Sequence, residues 1–363
     1  MQVRSKGAVG ALMILGISVL GAAPVAAVSH TPAGPPAPVC GDGVPPPWVT
    51  TASHPNDGVP DPAGRIVFGR SITKDPTFGQ LTTLYAIDPD GSDLTMLTDC
   101  QVEYPHISPD GTRIALGIRM DDGSMQVATM AIDGSDLRIL TTSGYNEYPD
   151  WSPDGTWLVY SGAPDADVAA IDRECPINDC LLTLGLKEPL RRMSADGSDD
   201  RLLGDPEALD FYPRISPDGM AVVFNRIDPS NQDWHTIMIR ELATGDERVV
   251  TANDREPTLP QWSPDGRSIL YATVHAPGRP ADIWMQVETV PADDPTAAPT
   301  VLRPVAEGGG SQPGYSPNGS RIVFFCGGLC TMAADGSGVQ EIISAPGLVP
   351  VQPNWGIVPK PAD

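Results

Sequence analysis

The sequence predicts an all-β fold, a six-bladed β-propeller closed by its own C-terminal strand. An eight-residue motif recurs five times, with Ser-Pro starting at 108, 152, 216, 263 and 316, a spacing that suits four-stranded blades with insertions. The 37 Gly and 40 Pro among 363 residues favour short strands and tight turns over long helices. A partial unit at each end supplies what the other lacks.

Taken in order, residues 1–27 read as a targeting segment. Arg4 and Lys6 precede an apolar run over 7–23, and Val25-Ala26-Ala27 offers a cleavage site after Ala27. A retained anchor is the alternative, although the run is short and Gly-rich for a span that needs ~20 apolar residues. Nothing later is apolar enough to cross a bilayer, so an exported chain without stable membrane insertion is expected, secreted or in the cell envelope. Removing that segment takes two basic residues and no acidic ones from a chain of net charge −23. So acidic a surface repels phosphate backbones and excludes nucleic acid as a partner.

Residues 28–62 carry ten prolines and little apolar periodicity. They predict an extended or partly disordered arm, tied down through Cys40 if at all. The propeller is expected over 63–358, with a tail at 359–363. In each motif the segment before Ser-Pro is a first strand, and Pro-Asp-Gly or Pro-Asn-Gly closes a hairpin. Second strands are predicted over 113–118, 157–161, 221–225, 268–273 and 321–325. Third strands follow at 126–132, 190–194, 236–241, 282–287 and 329–333, and fourth strands at 138–141, 201–203, 248–251, 300–302 and 340–343. Residues 65–69, 83–87 and 95–98 form a unit lacking its first strand, which Gln352-Pro-Asn-Trp-Gly356 can supply. A disordered tail from 350 onward is the alternative.

The copies Tyr148-Pro-Asp-Trp-Ser-Pro-Asp-Gly155 and Tyr212-Pro-Arg-Ile-Ser-Pro-Asp-Gly219 resemble the repeat of the TolB-type propeller family, and the resemblance covers roughly residues 60–357. It implies a propeller used as an envelope scaffold, as the substrate filter of a peptidase, or in another exported role. The 28–62 arm is too short for the α/β domain that precedes the propeller in TolB itself. The resemblance is therefore to the propeller and not to TolB as a whole.

Six cysteines in an exported chain read as disulfides: Cys175 with Cys180, Cys326 with Cys330, and Cys40 and Cys100 left over. Zinc is the rival, but neither close pair has the usual two-residue spacing, and no metal or cofactor is expected. The Asp-Gly turns at 88–93, 133–136 and 196–199 lack the spaced oxygens and terminal Glu of a calcium loop and read as hairpins in which Asp bonds its own backbone. The chain contains no Gly-x-Ser-x-Gly elbow.

Candidate function lies on the first strands. Ile107, Trp151, Ile215, Trp262, Tyr315 and Trp355 occupy one register and should wedge between blades. The residues just before them are His106, Asp150, Arg214, Gln261, Gly314 and Asn354. These predict a polar ring at the channel, charged on one arc and uncharged on the other, unless they are only a hydrated wall. The leading expectation is a monomeric, non-catalytic scaffold binding a protein or peptide at the channel mouth. The charged arc suits a zwitterionic ligand such as a peptide terminus. The alternatives are a lyase or hydrolase using His106, Asp150 and Arg214, and a purely structural envelope protein.

Overall fold

The computed structural model describes residues 35–41, 49–50, 63–75, 79–163, 187–227, 235–251, 256–274, 285–294, 296–344 and 349–358. Almost all of their regular structure is β. A two-residue strand, β1 (Val49–Thr50), precedes the propeller. Blade 1 contains β2 (Arg65–Asp75), β3 (Gly79–Ile87) and β4 (Thr95–Thr98). Blade 2 contains β5 (Val102–Ile107), β6 (Arg113–Arg119), β7 (Met125–Ala131) and β8 (Arg138–Ile139). Blade 3 contains β9 (Tyr145–Trp151), β10 (Trp157–Ala163), β11 (Leu190–Ser194) and β12 (Arg201–Leu202). Blade 4 contains β13 (Leu209–Ile215), β14 (Ala221–Ile227), β15 (His235–Glu241) and β16 (Glu247–Val249). Blade 5 contains β17 (Pro257–Trp262), β18 (Ser268–Val274), β19 (Met285–Pro291) and β20 (Thr300–Arg303). Blade 6 contains β21 (Ser311–Tyr315), β22 (Arg321–Phe325), β23 (Leu329–Ala333) and β24 (Gln340–Ser344). The last strand, β25 (Val349–Gly356), lies in the sheet of blade 1, in the order β25-β2-β3-β4. Ile66 faces Trp355 and Val67 faces Asn354 across that pairing. First strands touch in sequence from β5 round to β21, then β25, which meets β5 again. The ring is closed, leaving no exposed inner edge.

Ser-Pro-Asp-Gly builds the same hairpin in every copy. The serine hydroxyl donates to the aspartate at 2.6 Å in blades 2 to 5, and Ser316 donates to Asn318 at 3.0 Å in blade 6. The same oxygen accepts the N–H five residues on, as from Arg113 at 2.9 Å. The turn glycines sit at φ between 68° and 73°, a region open to Gly at no steric cost. The Asp-Gly turns are hairpins too: Asp90, Asp133 and Asp196 each accept the N–H of the serine two residues on.

The core is divided between blades. Layers between blades join two neighbours: Val67 and Leu84 of blade 1 meet Ile114 and Leu116 of blade 2, and Val323 and Leu329 of blade 6 meet Ile66, Phe68 and Trp355 of blade 1. The register from Ile107 to Trp355 fills these seams as its pattern predicts. Trp151 and Trp262 also donate their indole N–H groups to His106 O and Arg214 O of the preceding blade, both at 3.0 Å.

The third strand of blade 5 is described over Met285–Pro291 and runs past the expected end at 287, because the apolar alternation that pairs with β18 continues through Val290; 282–284 lie outside the described residues. The described parts of the arm are held in place. Val39 N donates to Arg119 O, Gln101 N to Val39 O and Asp121 N to Ala37 O, while β1 adds to the outer edge of β24. Disulfides join Cys40 to Cys100 and Cys326 to Cys330. Cys175 and Cys180 lie outside the described residues. Among the described residues no helix is long and apolar enough to cross a membrane.

Candidate functional site

The inner wall depends on a bulge repeated in every blade. Tyr104, Tyr148, Tyr212, Leu259, Gln312 and Gln352 each precede a proline, and all six have φ between 49° and 58°. Left-handed backbone is uncommon for residues other than Gly, Asn and Asp. Here it recurs at one position of every first strand, where the pairing register shifts, as expected of a β-bulge that re-aims side chains. Proline removes a ladder donor and disfavours the right-handed helical region for the residue before it.

The bulge residues fill the channel unevenly. Tyr104, Tyr148 and Tyr212 pack together with ring centroids 4.5–5.2 Å apart, and Tyr104 Oη donates to Tyr212 Oη at 3.3 Å. On the other side Gln352 Oε1 accepts from Tyr104 N, and Gln312 Oε1 accepts from Gln352 N, both at 2.6 Å.

The polar ring lies one level away. His106 and Asp150 meet, Nδ1 to Oδ1, at 3.3 Å, and Asn354 Nδ2 is 3.2 Å from the same Nδ1. Asp150 Oδ2 also accepts from Ile215 N at 2.8 Å, and Asn354 Oδ1 accepts from Ile107 N at 2.9 Å. These two side chains therefore staple each blade to the next as well as facing the imidazole. Arg214 is buried and donates Nη1 to Pro213 O at 2.6 Å. It joins His106 and Gln261 in lining a cavity of about 20 Å³ that also touches Tyr104, Gln312 and Gln352. Gly314 packs under Pro353 O and adds no side chain. Three ring residues thus meet around one imidazole, while Arg214 and Gln261 face the cavity with His106.

Burial and the neighbouring Arg214 charge hold the His106 imidazole well below its ordinary pKa, so it is neutral at pH 7. Burial raises Asp150 to about 6, with Arg214 opposing the rise. Arg214 is itself lowered by desolvation, against the attraction of Asp150. A second constellation, not read from the sequence, joins Glu103 and Glu147 of the first strands β5 and β9 to Glu188, which precedes β11 and bridges to Leu209. Burial raises Glu103, Glu147 and Glu188, and Glu103 reaches about 8 with the Glu147 charge adding to the effect. Both carboxylate oxygens of Glu188 lack a hydrogen-bond partner. Glu103 and Glu147 directly precede bulge tyrosines, which is the signal that could have found them.

No family model matches the sequence. A Tol-Pal system protein TolB of Anaeromyxobacter dehalogenans is 30% identical over 174 residues, covering 46% of this chain and 37% of that protein. The crystal structure of TolB from Acinetobacter baumannii superposes with a TM-score of 0.58 at 19% identity, covering 82% of this chain and 68% of that one. The chain carries a TolB-type propeller. An uncharacterised protein of Agrobacterium fabrum is 26% identical over 213 residues, 55% of this chain and 64% of that protein. This TolB-type chain spans less than two thirds of both curated relatives and is not TolB itself.

Proposed function

We propose that this chain is an exported, non-catalytic propeller scaffold of the cell envelope that binds a protein or peptide at the channel mouth. The observation that carries the reading is the buried Arg214 guanidinium, which lies beside His106 and Gln261 with its Nε unpartnered. A carboxylate at a peptide terminus would complete it through charge-assisted hydrogen bonds. Disulfides at Cys40–Cys100 and Cys326–Cys330 support export, because they persist in oxidising compartments. The name of the TolB relatives, which places them in the Tol-Pal system, supports an envelope role.

Fluorescence polarisation with peptide libraries carrying free or amidated C-termini tests the reading. Free termini should bind more tightly, and Arg214→Ala should weaken them by about 1.5–3 kcal/mol, the worth of a hydrogen bond to a charged group. Equal binding of free and amidated peptides to both proteins would rule out carboxylate capture in the channel.

The 3.3 Å contact of His106 with Asp150 favours a second reading, an enzyme acting at the channel. A neutral imidazole held by a carboxylate can accept a proton. The adjoining cavity of about 20 Å³ holds little more than a water or two, so a substrate would have to react from outside it. Turnover of peptide or uronate-containing oligosaccharide panels, abolished by His106→Ala, would establish this reading over the scaffold.

A further inference from the structure

We infer that the channel cavity beside Arg214 is a binding site for a small monovalent anion, either a halide or the carboxylate of a small acid. The site would be filled in the protein without any macromolecular partner. Arg214 is 4% exposed. Among the described residues no carboxylate comes within ion-pair distance of it, and its Nε has no hydrogen-bond partner. A buried guanidinium with one backbone acceptor, Pro213 O, and no paired carboxylate is unfavourable, and a bound counter-ion relieves the cost.

The rest of the lining favours an anion. Gln312 and Gln352 each use Oε1 to accept a backbone N–H. Only the amide oxygen can accept, so these bonds fix both side chains and leave each NH₂ as a donor group. Gln261 adds a third amide, and none of the residues lining the cavity is acidic. His106 is neutral, which makes Arg214 the single cation there. Asp150 acts on Arg214 through space but does not line the cavity. A site built from one guanidinium and several amide donors, inside a chain of net charge −23, selects anions against the overall field of the protein. About 20 Å³ admits one or two water-sized spheres, which fits a halide or a carboxylate head.

The test uses the whole protein without peptide. Sodium chloride and sodium formate are titrated separately at ionic strength held constant with sodium methanesulfonate, and thermal unfolding is followed for the wild type and Arg214→Gln. Above Kd the wild-type Tm should rise by roughly 2 °C per tenfold in anion, and the variant should not respond. A chloride response alone identifies a halide site, and a formate response alone a carboxylate site. Chlorine-35 NMR line broadening by the wild type, reversed by formate, gives a second readout should the variant fail to fold. Identical salt responses of wild type and variant, or wild-type chloride lines no broader than in buffer and no formate response, would overturn the inference. The site is the one proposed for peptide capture, and the two readings are told apart because capture is read from free against amidated termini.

Discussion

Removing the closing strand tests the architecture most directly. Trp355 is 4% exposed and packs with Ile66, Phe68, Tyr85 and Val323 in the layer between blades 6 and 1. Truncating a buried tryptophan to alanine costs about 3–5 kcal/mol, against a net stability of about 5–15 kcal/mol for a domain. At about 2.1 cal/mol/K of unfolding entropy per residue, a domain of about 300 residues corresponds to about 0.6 kcal/mol/K, so Trp355→Ala should lower Tm by about 5–8 °C. Deleting 349–363 removes all of β25, bares the inner edge of β2 and strips Asn354 from His106. That protein should melt far lower still, and should aggregate through the bared strand. Calorimetry with static light scattering reads both effects. A deletion variant that melts within 1 °C of the full chain and stays monodisperse would refute closure by β25.

Three further outcomes are expected. Burial raises Glu103 to about 8 and raises Glu147 and Glu188, so the folded state holds protons that the unfolded chain has released. Stability should therefore fall between pH 4.5 and pH 8, with Tm lower at pH 8.5 than at pH 5.5, and Glu103→Gln should flatten that slope. Replacing Trp151 by Phe removes the indole bond to His106 O and should cost about 1 kcal/mol; an unchanged urea midpoint would show that the seam does not depend on it. Replacing Cys40 and Cys100 by Ser opens a loop with a sequence separation of 60 and should lower stability by about 4 kcal/mol on the loop-entropy model, measured by guanidinium unfolding of oxidised and variant protein.

Much of the architecture was legible because its signals are local. Ser-Pro-Asp-Gly names its turn chemically, and the alternation on either side sets the seam residues Trp151, Trp262 and Trp355. Closure was legible because Gln352-Pro-Asn-Trp repeats the start of the motif. The docking of the arm was not, since a two-residue strand such as Val49–Thr50 has no periodicity and a lone Cys40 does not name its partner. The inner wall was half legible. His106, Asp150 and Arg214 stood out as polar residues at one symmetric position, but alternation alone gave no account of Asp150 and Asn354 bonding the next blade's backbone. The left-handed bulge was missed although a proline follows it in all six blades, because alternation assumes an unbroken pleat. Its residues, from Tyr104 to Gln352, therefore read as mere motif starts.

That bulge separates shape from chemistry. Tyr, Leu and Gln share one backbone conformation at six equivalent places, so the conformation goes with the place in the first strand and not with the side chain that stands there. The inner surface can then be rewritten one residue at a time while every blade keeps its geometry. Three tyrosines on one side and two glutamines on the other are one spelling among many that this frame tolerates. Inheritance of the frame does not fix what the channel holds, and two proteins with superposable blades can diverge in ligand through six independent substitutions.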